Sequence, residues 1–185
     1  MTDVQEMMRQ QYPGATWADI ARRDGELPPV LARQSNPEQN LRDIPFAHYI
    51  DPAFFDLEME RMWKRVWQFA CREEHVPEVG DWFVYDIGRL SVIIVRTEEG
   101  LRGYPNSCLH RGTKLKPSGA SGWSESLRCP FHSWEWNLDG SLKGIPCSFE
   151  FPQLDRQKAC LPQVRVESWN GMIFVNFDSE APALT

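Results

Sequence analysis

Long apolar runs are missing from this 185-residue chain. Its longest, LSVIIV and MIFV, fall far short of the roughly 20 residues a membrane helix needs. The opening residues, MTDVQEMMRQQYPG, have no apolar stretch of the kind a secretory signal carries. Positive charge is short as well: 20 Lys and Arg stand against 26 Asp and Glu, a net charge of −6 that offers no basic face to nucleic acid or to an anionic membrane. The resulting expectation is a soluble cytoplasmic protein with neither nucleic acid nor membrane among its partners. No internal repeat and no low-complexity segment is found. Histidine and cysteine are scarce, at 4 and 5. An odd number of dispersed cysteines in a reducing compartment favours free thiols and metal ligands over a disulfide framework. Cys71, Cys147 and Cys160 have no histidine at ligand spacing and are expected to be small buried hydrophobes.

What is present suffices for one domain of ordinary size with an appended arm: 42% of the residues are hydrophobic and 12% aromatic. Residues 1–45, with Pro13, Pro28, Pro29, Pro37 and Pro45, read as an extended arm. One short helix is predicted there at TWADIARR, capped by Thr16 and stopped near Gly25. A leading helix is predicted over 52–66, with Asp51 as N-cap and Pro52 in the first turn. Phe55, Met59, Met62, Trp63 and Val66 form its core-facing stripe. From about residue 76 the pattern becomes short segments rich in β-branched and aromatic residues: DWFVYDIG, LSVIIVRTEEGLRGYPN, SLRCPFHSWEW, GSLKGI and GMIFVNF. Asp139-Gly140 predicts a two-residue hairpin turn. The fold class is mainly β and antiparallel.

Two of the four histidines and two of the five cysteines fall in NSCLHRGTKL and LRCPFHSWEW, as Cys108-x-His110 and Cys129-x-x-His132. Both pairs lie among turn residues, and residues 111–128 separate them. Two thiolates and two imidazoles accept either of two centres. A structural zinc would take all four on one ion. A mixed-ligand [2Fe–2S] cluster would take the cysteines on one iron and the histidines on the other. Common zinc modules draw both cysteines from one loop and both histidines from another. Here each loop supplies one of each, which suits two irons gripped from opposite sides, although zinc could also accept it.

CLHRG, CPFHSW and LDGSL resemble the Rieske motif. The Arg and Gly after the first His, and the Trp two residues after the second, resemble its ring-hydroxylating oxygenase branch. MWKRVWQFACREEHVPEVGDW and VESWNGMIFVNFD are similar to the flanks in that family's alpha subunit, so the resemblance runs over roughly residues 45–178. One departure is Ser133, where the family usually has glycine. The resemblance implies an antiparallel β-sandwich like that of Rieske iron–sulfur proteins, with two cluster-binding hairpin loops, preceded by an arm and one or two helices. It implies a Rieske domain over 46–178 and the start of a linker to a catalytic domain at 179–185. It also implies a Rieske [2Fe–2S] cluster held by Cys108, His110, Cys129 and His132. Respiratory Rieske proteins carry an additional cysteine in each loop and a serine two residues after the last histidine. Here Thr113, Phe131 and Trp134 stand at those places, which implies a low-potential cluster. Two neutral imidazoles in place of two thiolates still put the potential above that of an all-cysteine cluster, in a range of about −150 to +300 mV.

An oxygenase also needs a mononuclear Fe(II) held by two histidines and a carboxylate. With His110 and His132 assigned to the cluster, only His48 and His75 remain. Both precede the cluster, no His-x4-His pair exists, and both read as surface or turn residues. The chain ends at FDSEAPALT, about where the alpha subunit passes into its catalytic domain. The expectation is therefore the electron-transfer portion of an oxygenase that hydroxylates an organic, aromatic substrate with O2, with no catalytic residue in this chain. The implied partners are a ferredoxin or flavin reductase as donor, and a homotrimer or alpha/beta hetero-oligomer when complete. Arg111 and Lys114 read equally as a docking site for an acidic donor or as a solvated basic loop. Trp134 and Trp136 read as packing that excludes water. Two alternatives stay open: a stand-alone Rieske-type ferredoxin, and a structural zinc binding module.

Overall fold

The computed structural model describes residues 43–185, together with Arg23. Apart from Arg23, which is helical and exposed, the predicted arm helix at TWADIARR and almost all of the predicted arm lie outside the described residues. Contacts divide the chain into Met1–Pro45 and Phe46–Thr185, and the second unit holds every element that follows.

Helix α1 (Pro52–Glu58) begins as its sequence dictates. The Asp51 carboxylate accepts a hydrogen bond from the Ala53 amide at 2.9 Å, and Pro52 occupies the first turn, where no amide hydrogen is needed. The helix continues as a π-helical stretch over Met59–Trp63, where the Lys64 amide reaches back to the Met59 carbonyl at 3.2 Å. It thus stops three residues short of the predicted end. Its apolar stripe is only partly covered. Met59 is buried against the turn at Gly88, whereas Phe55, Met62 and Val66 remain exposed.

Among the described residues, ten strands form three antiparallel sheets. The largest is ordered β4 (Gly100–Pro105), β3 (Leu90–Thr97), β2 (Asp81–Ile87), β5 (Ser121–Trp123). A second is ordered β1 (Gln68–Arg72), β10 (Met172–Asn176), β9 (Arg165–Trp169). The third is ordered β6 (Leu127–Arg128), β7 (Glu135–Trp136), β8 (Leu142–Gly144). Among the described residues strand structure therefore starts at Gln68, before the predicted onset. Strands β1, β5 and β9 lie outside the segments singled out from sequence.

The run LSVIIV explains the architecture. In β3 successive side chains point to opposite faces, and both faces are covered. Ile93 and Val95 enter one core with Trp82, Val84, Tyr104, Leu127, Trp134 and Trp136. Val92 and Ile94 enter a second core with Cys71, Val76, Val164, Ile173 and Val175. The four-stranded sheet is thus the middle layer. The β1–β10–β9 sheet closes one side, and the small β6–β7–β8 sheet closes the other.

The β7–β8 turn is longer than predicted. Asn137 and Ser141 pair through their backbones at 2.8 Å, leaving three residues, Leu138, Asp139 and Gly140, in the loop. Only Gly140 has positive φ, at 89°, as in a turn that ends in a left-handed glycine. Of the cysteines outside the two loops, Cys71 is buried as expected. Cys147 and Cys160 are exposed, because one lies in a surface turn and the other in an isolated bridge rather than in a strand interior. His48 and His75 are exposed, as expected. Residues 179–185 lie along the domain. The Trp67 indole donates to the Pro182 carbonyl at 3.0 Å, and the Leu184 amide donates to Glu167 at 2.8 Å.

Candidate metal centre

The first loop leaves edge strand β4 and returns in β5, the opposite edge of the same sheet, so it must cross the end of the sheet. Buried Asn106 closes its base. The Asn106 side chain donates to the Ser91 hydroxyl at 3.0 Å and to the Lys116 carbonyl at 2.8 Å, and accepts from the Lys116 amide at 2.9 Å. Asp86 of β2 holds the returning segment, accepting from the Gly119 amide at 2.9 Å and from the Lys114 ammonium at 3.5 Å. Lys114 is therefore tied to the scaffold, while Arg111 is exposed with no ion-pair partner among the described residues.

The second loop is the turn of the β6–β7 hairpin. Its sheet docks on the middle layer through Tyr104, whose hydroxyl donates to the Leu138 carbonyl at 3.0 Å and whose ring fills the space a Cβ on Gly140 would need. Sequence reasoning missed both Asn106 and Tyr104. Their partners lie 10 and 34 positions away, and no local pattern announces such contacts.

The two loops share one backbone design. The Cys108 amide donates to the Thr113 carbonyl and the Gly112 amide to the Cys108 carbonyl, both at 2.8 Å. The Cys129 amide donates to the Trp134 carbonyl at 2.8 Å, and the Ser133 amide to the Cys129 carbonyl at 3.1 Å. Four residues after each cysteine the backbone turns left-handed, at Gly112 (φ 71°) and at Ser133 (φ 58°).

All four side chains nominated by the sequence come together, as two pairs. Cys108 and Cys129 are each 2% exposed, belong to the same core and lie close enough to perturb one another. Burial pushes the Cys108 thiol above its ordinary value, opposed by the His110 and Arg111 amides and reinforced by Cys129. Thiols held like this are unreactive unless a strong positive charge sits beside them. The imidazoles of His110 and His132 meet edge-on, ring centres 4.7 Å apart. Burial first, then the neighbouring charges of His132 and Arg111, hold His110 below its ordinary value, which favours the neutral ring that coordinates metals. Its Nδ1 is buried with no hydrogen-bond partner among the described residues. An orphaned imidazole nitrogen beside a buried thiol pair is what a metal centre would satisfy. A third segment, missed from sequence, reaches the site: Phe151 packs edge-on against both His110 and Trp134.

No three His, Cys, Asp or Glu side chains among the described residues gather tightly enough to hold one ion. The donors instead form a sulfur pair and an imidazole pair, each drawing one member from each loop.

The family model for the Rieske [2Fe-2S] domain matches residues 66–161. The chain belongs to this family. The matched Rieske segment contains both loops and the middle layer. Among curated Rieske relatives, the chain is 35% identical over 147 residues to the anthranilate 1,2-dioxygenase large subunit of Acinetobacter baylyi, covering 78% of this chain and 31% of that one. It is 33% identical over 192 residues to the biphenyl 2,3-dioxygenase alpha subunit of Rhodococcus jostii, covering 100% of this chain and 38% of that one. The naphthalene 1,2-dioxygenase structure from Rhodococcus sp. bound to indole superposes with a TM-score of 0.69 at 34% identity, over 76% of this chain and 33% of that one. A quaternary ammonium Rieske monooxygenase, whose structure is described with inter-subunit electron transfer, superposes with a TM-score of 0.68 at 25% identity, over 75% and 38%. The chain thus spans about a third of the length of these relatives. No helix among the described residues is long and apolar enough to cross a membrane.

Proposed function

We propose that Cys108 and Cys129 hold one iron, and His110 and His132 the other, of a [2Fe–2S] cluster in the electron-transfer part of an oxygenase alpha subunit. The observation that carries the assignment is the separation of the donors into a buried sulfur pair and a more exposed imidazole pair. A single zinc would require all four to converge on one point. Bound there, the cluster would take up and release one electron at a time. The protein's own part is to keep the sulfur side dry in the core, to hold the two loops in register through Asn106, Asp86 and Tyr104, and to leave the imidazole edge facing outward. Leu109 and Phe131 flank that edge and are exposed, which suits contact with an electron-exchange partner.

The complete protein would use the electrons at a mononuclear Fe(II) site outside this chain, to hydroxylate an organic substrate with O2. Relatives named for anthranilate, biphenyl and naphthalene favour an aromatic one. A ferredoxin or flavin reductase would supply the electrons, in a cytoplasmic homotrimer or alpha/beta hetero-oligomer. Identity that extends over the whole chain to an alpha subunit favours this reading over a stand-alone ferredoxin.

Purified protein is expected to be red-brown, with two irons and two acid-labile sulfides per chain and a paramagnetic reduced state. Cys108→Ser or Cys129→Ser should abolish all three signals. One zinc per chain, with neither iron nor sulfide, would refute the assignment.

A further inference from the structure

The two imidazoles at this site are not held alike. Trp134, 6% exposed, lies flat on the His110 ring, with centres 5.0 Å apart and planes 2° from parallel. Phe151 meets the same ring edge-on at 5.6 Å and 87°, and braces Trp134 edge-on at 5.2 Å and 89°. Trp134 is itself fixed by the bond from the Cys129 amide to its carbonyl and by packing against Trp136 at 6.1 Å. His132 has no such wall. Among the described residues, the only aromatic rings packed against it are those of His110 and of its chain neighbour Phe131, which is 63% exposed.

A ligating histidine is ordinarily oriented by a hydrogen bond from its second nitrogen, which fixes both the ring plane and the nitrogen presented. Among the described residues, no hydrogen bond to a side chain or backbone sets the His110 ring. Stacking on one face blocks tilting, and an edge-on ring at its side blocks sliding, so packing does this work. The plane is fixed before any ligand arrives, with Nδ1 turned into the buried interior.

Resting on the ligand assignment above, we propose that Trp134 and Phe151 are positioning residues that clamp His110 as the fixed imidazole ligand and leave His132 as the displaceable one. Loss of the cluster then begins at His132. Any weakening of the clamp gives the iron a second loose ligand and changes the ligand field it experiences.

The test uses the chain carrying its cluster, and compares Trp134→Phe, Trp134→Leu, Phe151→Leu and Phe131→Leu. Three readouts are taken: thermal midpoint, g-values of the reduced cluster, and half-life of the visible absorbance in excess chelator. Trp134→Leu and Phe151→Leu should shift the g-values and shorten the half-life about tenfold, the scale on which second-layer partners of metal ligands act. Trp134→Phe, which keeps a flat ring, and Phe131→Leu should match the parent protein. Should Trp134→Leu not fold, Phe151→Leu at an unchanged thermal midpoint carries the test. Parental g-values and half-life in the leucine variants at both clamp positions would overturn the clamp alone. An equal effect of Phe131→Leu would overturn the asymmetry. A parent protein that binds no [2Fe–2S] cluster would overturn the ligand assignment and the clamp with it.

Discussion

Ser133 occupies a backbone position that a side chain resists. At φ 58° its Cβ crowds the following carbonyl, a penalty of about 1–2 kcal/mol for a non-glycine residue. Glycine would remove that strain but adds about 0.5–1 kcal/mol of chain entropy on folding. The difference is small and favours glycine, so Ser133→Gly should leave the domain equally stable or raise its stability by up to about 1.5 kcal/mol. Gly112 stands at the same place in the other loop with φ 71°, and a Cβ there would meet only the Ser107 hydroxyl at an ordinary 3.7 Å. Gly112→Ala should therefore show the backbone penalty without a clash, offset in part by the entropy regained on removing a glycine, a net loss of about 0–1.5 kcal/mol. Urea unfolding of both variants checks the pair. A large destabilisation by Ser133→Gly would mean that the hydroxyl makes a contact worth more than the strain. The departure from glycine was visible in the sequence. Its backbone cost was not, because φ is set by the bonds that close the loop.

Among the elements, those carrying regular alternation or ligand chemistry were legible beforehand, and those serving as edges were not. LSVIIV, DWFVYDIG and GMIFVNF announce β3, β2 and β10, and the two Cys/His pairs announce the loops. Strand β5 is three exposed residues, and β9 has no fully buried position, so neither leaves an apolar period to read. The β7–β8 turn shows a subtler gap: Asp139-Gly140 marked the reversal but not its length. Length is decided by the Asp139 carboxylate, which accepts from the Ser141 amide at 2.8 Å and the Ser141 hydroxyl at 2.6 Å. These two bonds, helped by the Arg102 charge and opposed by burial, hold Asp139 below the ordinary carboxylate value. The unfolded chain therefore takes up the proton at a higher pH than the folded chain does. Stability from the ionised Asp139 is complete above the ordinary aspartate value of about 3.9 and is lost as pH falls through the folded value. Asp139→Asn keeps an accepting oxygen and removes only the charge. It should lower the thermal midpoint at pH 7, by an amount that shrinks steadily below about pH 4. A difference independent of pH would show that the turn depends on shape and not on the carboxylate.

At the scale of the whole molecule, the layered fold sets how readily the centre takes an electron. The sulfur side faces the core, where added negative charge is poorly solvated. The chain as a whole carries −6, and its field opposes a further electron, subject to screening by salt. What works the other way is hydrogen bonding to sulfur. The His110 and Arg111 amides favour negative charge on Cys108, but no serine, threonine or tyrosine hydroxyl donates to either thiol among the described residues. Phe131 and Trp134 occupy the places where a disulfide cysteine and a donating serine would raise the potential. With the ligands proposed above, imidazole ligation alone would keep it above all-cysteine clusters, within about −150 to +300 mV. The balance of these effects predicts a midpoint in the lower part, below about +100 mV. Raising the ionic strength should move it upward, because screening weakens the opposing field. A redox titration at two salt concentrations reads both quantities. A midpoint well above about +100 mV would show that donors to sulfur outweigh burial and charge, and a salt response of the opposite sign would remove the molecular field from the account.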